Sequence, residues 1–158
     1  GYTDKYATEF MVRKLDDLPQ NSSVFFIGRY SFDVRLLSDS GLLECQYNNV
    51  SGFIDVGYNR RNDLKMNFIT AHKSKGLQAD YVFIINNRKS RMGFPSKIQD
   101  AAILNLLLDN CDRYPYAEER RLFYVAMTRA KSRLHVYSVR ERYNKTLEVS
   151  RFVKEILK

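Results

Sequence analysis

Leu122, Val125 and Ala126 stand at i, i+3 and i+4, the spacing that lines one face of a helix, and Arg129 continues that stripe at i+7. Burying a guanidinium without a counter-charge carries a large desolvation cost. An arginine that extends an apolar face must therefore meet a carboxylate, a phosphate or the lip of a cleft. Two readings stay open on the pattern alone: an internal salt bridge, with Asp33 or Asp80 as the partner, or contact with a bound anion.

A second group of chemically able residues is Thr70-Ala71-His72-Lys73-Ser74-Lys75-Gly76-Leu77-Gln78-Ala79-Asp80, directly after the strand-like Asn67–Thr70. Ligands of open α/β sheets collect at the carboxyl ends of strands, so a loop here is well placed to bind one. Gly76 would permit either a positive φ or a close backbone approach. Taken by itself, an HxxxG turn reads as a polar loop. Arg29 offers a third cation, just beyond the apolar run Val24-Phe25-Phe26-Ile27 and Gly28.

One expected device is missing from the residues given. A nucleotide-cradling GxxxxGK(S/T) loop supplies backbone amides, a lysine and a hydroxyl, whereas the nearest spacing, Gly52 to Gly57, continues into Tyr58-Asn59. The two cysteines, Cys45 and Cys111, lack any CxxC or Cys/His spacing and read as inert thiols, so no metal site is expected. His135, inside a strand pattern, reads as structural.

The elements that must position these residues alternate in type. Residues 3–18 carry Tyr6, Phe10, Met11, Leu15 and Leu18 at helical steps until Pro19. Residues 24–27 form a strand without alternation, as when both faces are covered. Ser31 opens a helix through Leu37 that Gly41 terminates. Residues 44–66 are harder to assign, with a short strand at Phe53–Val56 and a basic stretch Asn59-Arg60-Arg61. Strands at Asn67–Thr70 and Tyr81–Ile85 follow. A basic loop at Asn86–Lys97 precedes a helix around Gln99–Asp109, and Glu118–Lys131 is a further helix. Arg133–Val139 is a strand and Glu148–Leu157 a closing helix. This order predicts a single α/β domain over residues 1–158, with a mostly parallel sheet and helices on both faces; residues 1–20 form an N-terminal helix of uncertain assignment.

Composition bounds the function. At 158 residues, 44% hydrophobic and 28% charged, the chain has enough apolar material for one packed core. Runs such as Tyr81–Ile85 are far too short to span a bilayer, so no membrane partner is expected. The formal charge of +8 and pI near 9.5 favour a polyanion, nucleic acid above all, through counterion release. The opening Gly1-Tyr2-Thr3-Asp4 reads as the start of an excised piece without a leader, and the cysteine usage fits a reducing cytoplasm.

The fourteen residues Glu118-Glu119-Arg120-Arg121-Leu122-Phe123-Tyr124-Val125-Ala126-Met127-Thr128-Arg129-Ala130-Lys131 resemble, nearly letter for letter, the last signature motif of UvrD/Rep-type superfamily 1 DNA helicases. The Thr70–Asp80 segment resembles the motif before it, and Phe26-Ile27-Gly28-Arg29-Tyr30 an earlier one. Gly-Arg-Tyr here, Gly93-Phe94-Pro95-Ser96 and the run from Pro115 look like the helicase IV branch. The likeness covers about residues 22–140. It implies a second, RecA-like motor domain of P-loop NTPase type that lacks its own Walker A loop and cannot hydrolyse ATP alone. Arg129 would be the arginine finger on the γ-phosphate of ATP, bound with Mg²⁺ mainly by an absent first RecA-like domain. Arg29 would be a second phosphate contact, and Gly76 and Gln78 would lie against the nucleotide. Thr70, His72 and Ser74 would face single-stranded DNA. The likeness further implies a cytoplasmic protein of DNA repair. Two departures stand out: Gln78 replaces the Glu of many relatives, and Gly28 takes the place of an aromatic that stacks on adenine. An alternative reading is a stand-alone nucleic-acid-binding or protein-interaction module; a helicase–nuclease fusion is a third.

Overall fold

The computed structural model describes residues 4–97, 116–138, 141–142 and 145–157. The helix expected at Gln99–Asp109, Cys111 and the start of the run at Pro115 lie outside the described residues. Six strands form one sheet in the order β2-β3-β4-β1-β5-β6. They are β1 (Ser23–Gly28), β2 (Glu44–Tyr47), β3 (Ile54–Gly57), β4 (Lys65–Thr70), β5 (Ala79–Ile84) and β6 (Ala130–Val136). β4, β1, β5 and β6 run parallel, while β3 joins β4 antiparallel and β2 joins β3 antiparallel. The sheet is thus mixed, with a hairpin added to one edge of a parallel core. That hairpin occupies the stretch whose polar sequence was hard to assign.

Side-chain alternation sorts the central strands onto two faces. Val24 and Phe26 of β1 enter one core with Phe68, Phe83 and Ile85, together with Met11 and Leu15 of α1 (Asp4–Asp16) and Leu36 and Leu37 of α2 (Arg35–Ser38). Ile27 enters the other with Ile69, Val82 and Ile84, under Leu122, Phe123 and Ala126 of α3 (Ala117–Met127) and Phe152 of α4 (Arg151–Ile156). Covering on both faces is why these strands read as continuous apolar runs. On the second face, Phe94 packs edge-on against Phe123 at 4.9 Å.

Several expected bounds shift for local reasons. The helix expected over Glu118–Lys131 ends at Met127, where Thr128 caps it, and β6 begins at Ala130 rather than Arg133. Arg129 therefore lies in the turn between helix and strand, not on the helix itself. The helix expected from Ser31 starts as a 3-10 turn, Ser31–Val34, tightened by the Tyr30 amide donating to Asp33 Oδ2 at 2.9 Å. Gly41 follows α2 with φ +69°, a left-handed stop. The closing helix begins at Arg151, after Ser150 Oγ accepts from the Val153 amide. A two-strand ribbon, β7 (Glu141–Arg142) with β8 (Lys145–Thr146), was not foreseen.

Candidate functional site

The three constellations converge on the two rims of the parallel core. Thr70 ends β4 and pairs in register with Gly28 at the end of β1, so Arg29 and His72 emerge at the carboxyl rim. Residues 71–78 then cross to the amino rim in a series of turns, and Ala79 opens β5. The crossing is packed from beneath by Ala71, and Leu77 packs against the same core. Gly76 has φ +79° and no heavy atom within 4 Å of a Cβ built there, so it serves the left-handed turn rather than a close approach.

Arg129 sits at the amino rim. Its Nε donates to the Val125 carbonyl at 2.8 Å, Nη1 to the Leu77 carbonyl at 3.2 Å and Nη2 to Thr128 Oγ1 at 3.0 Å. Its own carbonyl accepts from the Ala79 amide at 3.1 Å. All three guanidinium acceptors are neutral, and no carboxylate among the described residues pairs with it. The two acids considered as partners are engaged elsewhere: Asp33 accepts from Asn86 Nδ2 at 2.5 Å, and Asp80 from Ser23 Oγ at 2.7 Å. The structure brings Arg129 beside the Leu77–Gln78 turn, with the Gln78 side chain exposed.

Arg29 has a different environment. Its Nε donates to both oxygens of Glu119, at 2.8 and 3.0 Å, and Nη2 to Oε1 at 2.6 Å. Nη1 lies 3.4 Å from His72 Nδ1, and the guanidinium carbon sits 4.8 Å from the Tyr30 ring centre. Glu119 Oε2 also accepts the Ser96 amide at 2.8 Å, while Ser96 Oγ and Tyr30 OH are 2.5 Å apart. Arg29 is thus brought to His72 and the first turn of α3, whereas Arg129 lies just past the last. From Glu119 to Val125 the helix rises about 9 Å, so the two guanidinium groups are on the order of 10 Å apart along its axis.

His72 is exposed, and its pKa lies below the ordinary value through partial burial and the neighbouring Arg29 charge, with Glu119 pulling the other way. Thr70 Oγ1 accepts from the Lys73 amide at 3.4 Å, and Lys73 Nζ reaches the Gly52 carbonyl at 3.1 Å. Ser74, expected to face DNA, is instead fully buried and donates its hydroxyl to the Ala71 carbonyl at 2.7 Å. It builds the turn and offers nothing to a ligand in this conformation.

The departure at Gly28 has a steric cause: a Cβ there would lie 2.7 Å from Asp33 Cβ and 3.0 Å from the Phe68 ring. The buried Asp33 carboxyl, its pKa raised by that burial, occupies the space a side chain would need. Glu119, Ser96 and Tyr30 were given no role by sequence reasoning. The one available signal was the pair of acids opening α3, which reads equally well as an ordinary helix-dipole preference.

His135 stacks on Phe83 with ring centres 4.7 Å apart, a packing role. Burial pushes the Cys45 thiol up to about 11, which keeps it protonated and unreactive. Among the described residues no group of three or more His, Cys, Asp or Glu could hold a metal ion, and no helix is long and apolar enough to cross a membrane.

Residues 55–141, more than half of the chain, match the family model described as the UvrD-like helicase C-terminal domain. The chain is similar to DNA helicase IV of Escherichia coli (strain K12), 45% identical over 71 residues, which is 45% of this chain and 10% of that protein. It is also similar to a probable DNA helicase of Mycoplasma pneumoniae, 38% identical over 95 residues, 60% of this chain and 16% of the relative. A probable DNA helicase II homolog of the same organism is 30% identical over 156 residues, 99% of this chain and 18% of its own length. The chain therefore spans less than a fifth of each of these relatives.

Proposed function

The chain belongs to the UvrD-like helicase C-terminal domain family, and from that membership we propose that it is the second motor domain of an ATP-dependent DNA helicase or translocase. In this reading it completes a nucleotide site shared with a first RecA-like domain of the same polypeptide. The first domain would hold most of the ATP and its Mg²⁺, and the chemistry supplied is hydrolysis of the terminal phosphoanhydride. The present chain would contribute Arg129 as the arginine finger, Arg29 as a second phosphate sensor, Gly76 and Gln78 against the nucleotide, and Thr70 and His72 to a single-stranded DNA track.

One observation carries the reading. Arg129 is half-buried beside Gln78 and, among the described residues, is held by two carbonyls and a hydroxyl with no carboxylate paired to its charge. A guanidinium held by neutral acceptors keeps its attraction for an incoming anion, and its planar fork suits phosphate oxygens. Stabilising the charge that develops on a transferring phosphoryl group is worth roughly 10³- to 10⁵-fold in comparable NTPases. The residues fit a nucleotide in chemistry: a donor fork adjoins an exposed amide, with a glycine turn two residues before that amide.

The test uses the intact protein. Arg129→Ala is expected to cut DNA-stimulated ATP hydrolysis by at least about 10³-fold while leaving the single-stranded DNA Kd within a few-fold. Near-normal turnover in that variant would remove the finger from the mechanism.

A further inference from the structure

We propose that Glu119 is the counter-ion that a ligand phosphate must displace from Arg29, so that this carboxylate sets how strongly the domain responds to the terminal phosphate of a nucleotide. The inference rests on the motor reading above and adds to it a positioning residue that acts through Arg29.

The geometry defines the competition. Glu119 occupies the Nε and Nη2 edge of Arg29 with both oxygens, at 2.6–3.0 Å, and the two side chains are only 14% and 15% exposed. A guanidinium offers two edges for bidentate contact; Glu119 holds this one, and on the other Nη1 faces His72, so the Nε and Nη2 edge is the one for which a phosphate would compete. A carboxylate and a phosphate cannot both hold it. An anion arriving at Arg129 meets a charge that no carboxylate among the described residues compensates, whereas at Arg29 it gains only the difference between two anions.

Glu119 is also prepared to be left. Its Oε2 accepts the Ser96 amide at 2.8 Å, so the carboxylate keeps a donor when the guanidinium departs. Ser96 is tied in turn to Tyr30, over whose ring the Arg29 guanidinium lies. That ring offers the cation a resting face close to its present position. Since His72 lies 3.4 Å from Nη1, departure of Arg29 also changes the charge felt by a residue of the proposed DNA track.

The experiment is equilibrium binding of a non-hydrolysable ATP analogue and of ADP, each with Mg²⁺, to the intact protein. Glu119→Gln keeps the side-chain shape and loses the charge. It is expected to tighten the analogue about tenfold, the scale of one charge-assisted hydrogen bond, and to leave ADP within twofold. The gain should vanish in the Glu119→Gln/Arg29→Ala double variant. An unchanged analogue affinity, or a gain that persists without Arg29, overturns the proposal. Should the variant fold poorly, a structure of the wild-type protein with the analogue decides: Arg29 parted from Glu119 supports the exchange, and an intact pair refutes it. Near-normal turnover of Arg129→Ala would instead indict the motor reading, and an intact protein that binds no analogue overturns both.

Discussion

Arg29 and Arg129 are both arginines beside a sheet rim, yet their surroundings make them chemically unlike. One is neutralised by a carboxylate; the other, among the described residues, is held by dipoles. His72 reports on the first of these environments. Because burial and Arg29 lower its pKa, its neutral form should predominate at pH 7, and an NMR titration of the ring should show a midpoint below 6.5. The sign also fixes the linkage: the stabilisation belonging to neutral His72 is complete above the unfolded value and is lost as pH falls through the folded one. Glu119→Gln should move the midpoint lower still, since the acid it removes is the one pulling the value upward. A midpoint at or above 6.5 in the wild type would mean that the Arg29 charge is not where the ring can feel it.

At the scale of elements, α4 is held to the sheet chiefly through Phe152, which is 3% exposed and packs 5.3 Å from the Phe123 ring and 6.4 Å from Phe94. Phe152→Ala should cost about 3–5 kcal/mol in denaturant titrations with little change in m-value. A loss under 1 kcal/mol would show that α4 is dispensable to the core. The parallel strands were readable from residues because runs such as Val24–Ile27 carry their environment in their composition. The hairpin of β2 and β3 was not: three of the four side chains of β2 are exposed, so little apolar alternation marks it. The helix before Arg129 was drawn four residues too long because helical periodicity continues past Met127, and only the Thr128 cap ends it. Arg61 shows a role that its sequence neighbourhood does not mark. In sequence it belongs to the basic stretch Asn59-Arg60-Arg61, and its guanidinium donates to the carbonyls of Leu15, Asp16 and Leu18 at the end of α1 and to Asp63. Of the candidate site, spacing singled out Arg129 but left its partner open, and among the described residues its acceptors are neutral rather than the carboxylate considered; the Glu119 pair depended on contacts across 90 residues, which no local pattern encodes.

For the molecule as a whole, a formal charge of +8 makes a quantitative demand. Binding of this chain to single-stranded oligonucleotides should weaken with salt, the logarithm of affinity falling by about 0.7 per decade for each phosphate neutralised. Salt-independent binding would exclude the polyanion reading. ATP hydrolysis should be undetectable for the chain alone and appear only with its first-domain partner; turnover by the isolated chain would contradict a shared site. The connection from Thr70 to Ala79 bears on how such an assembly works. Most parallel strands are joined through a helix, but here eight residues bridge β4 and β5, and from Thr70 to Ala79 they reach at most about 32 Å even when pulled straight. So short a tether is held folded by its own turns: if Gln78 is drawn toward one partner, His72 at its other end must yield or the turns at Ser74 and Gly76 must unwind.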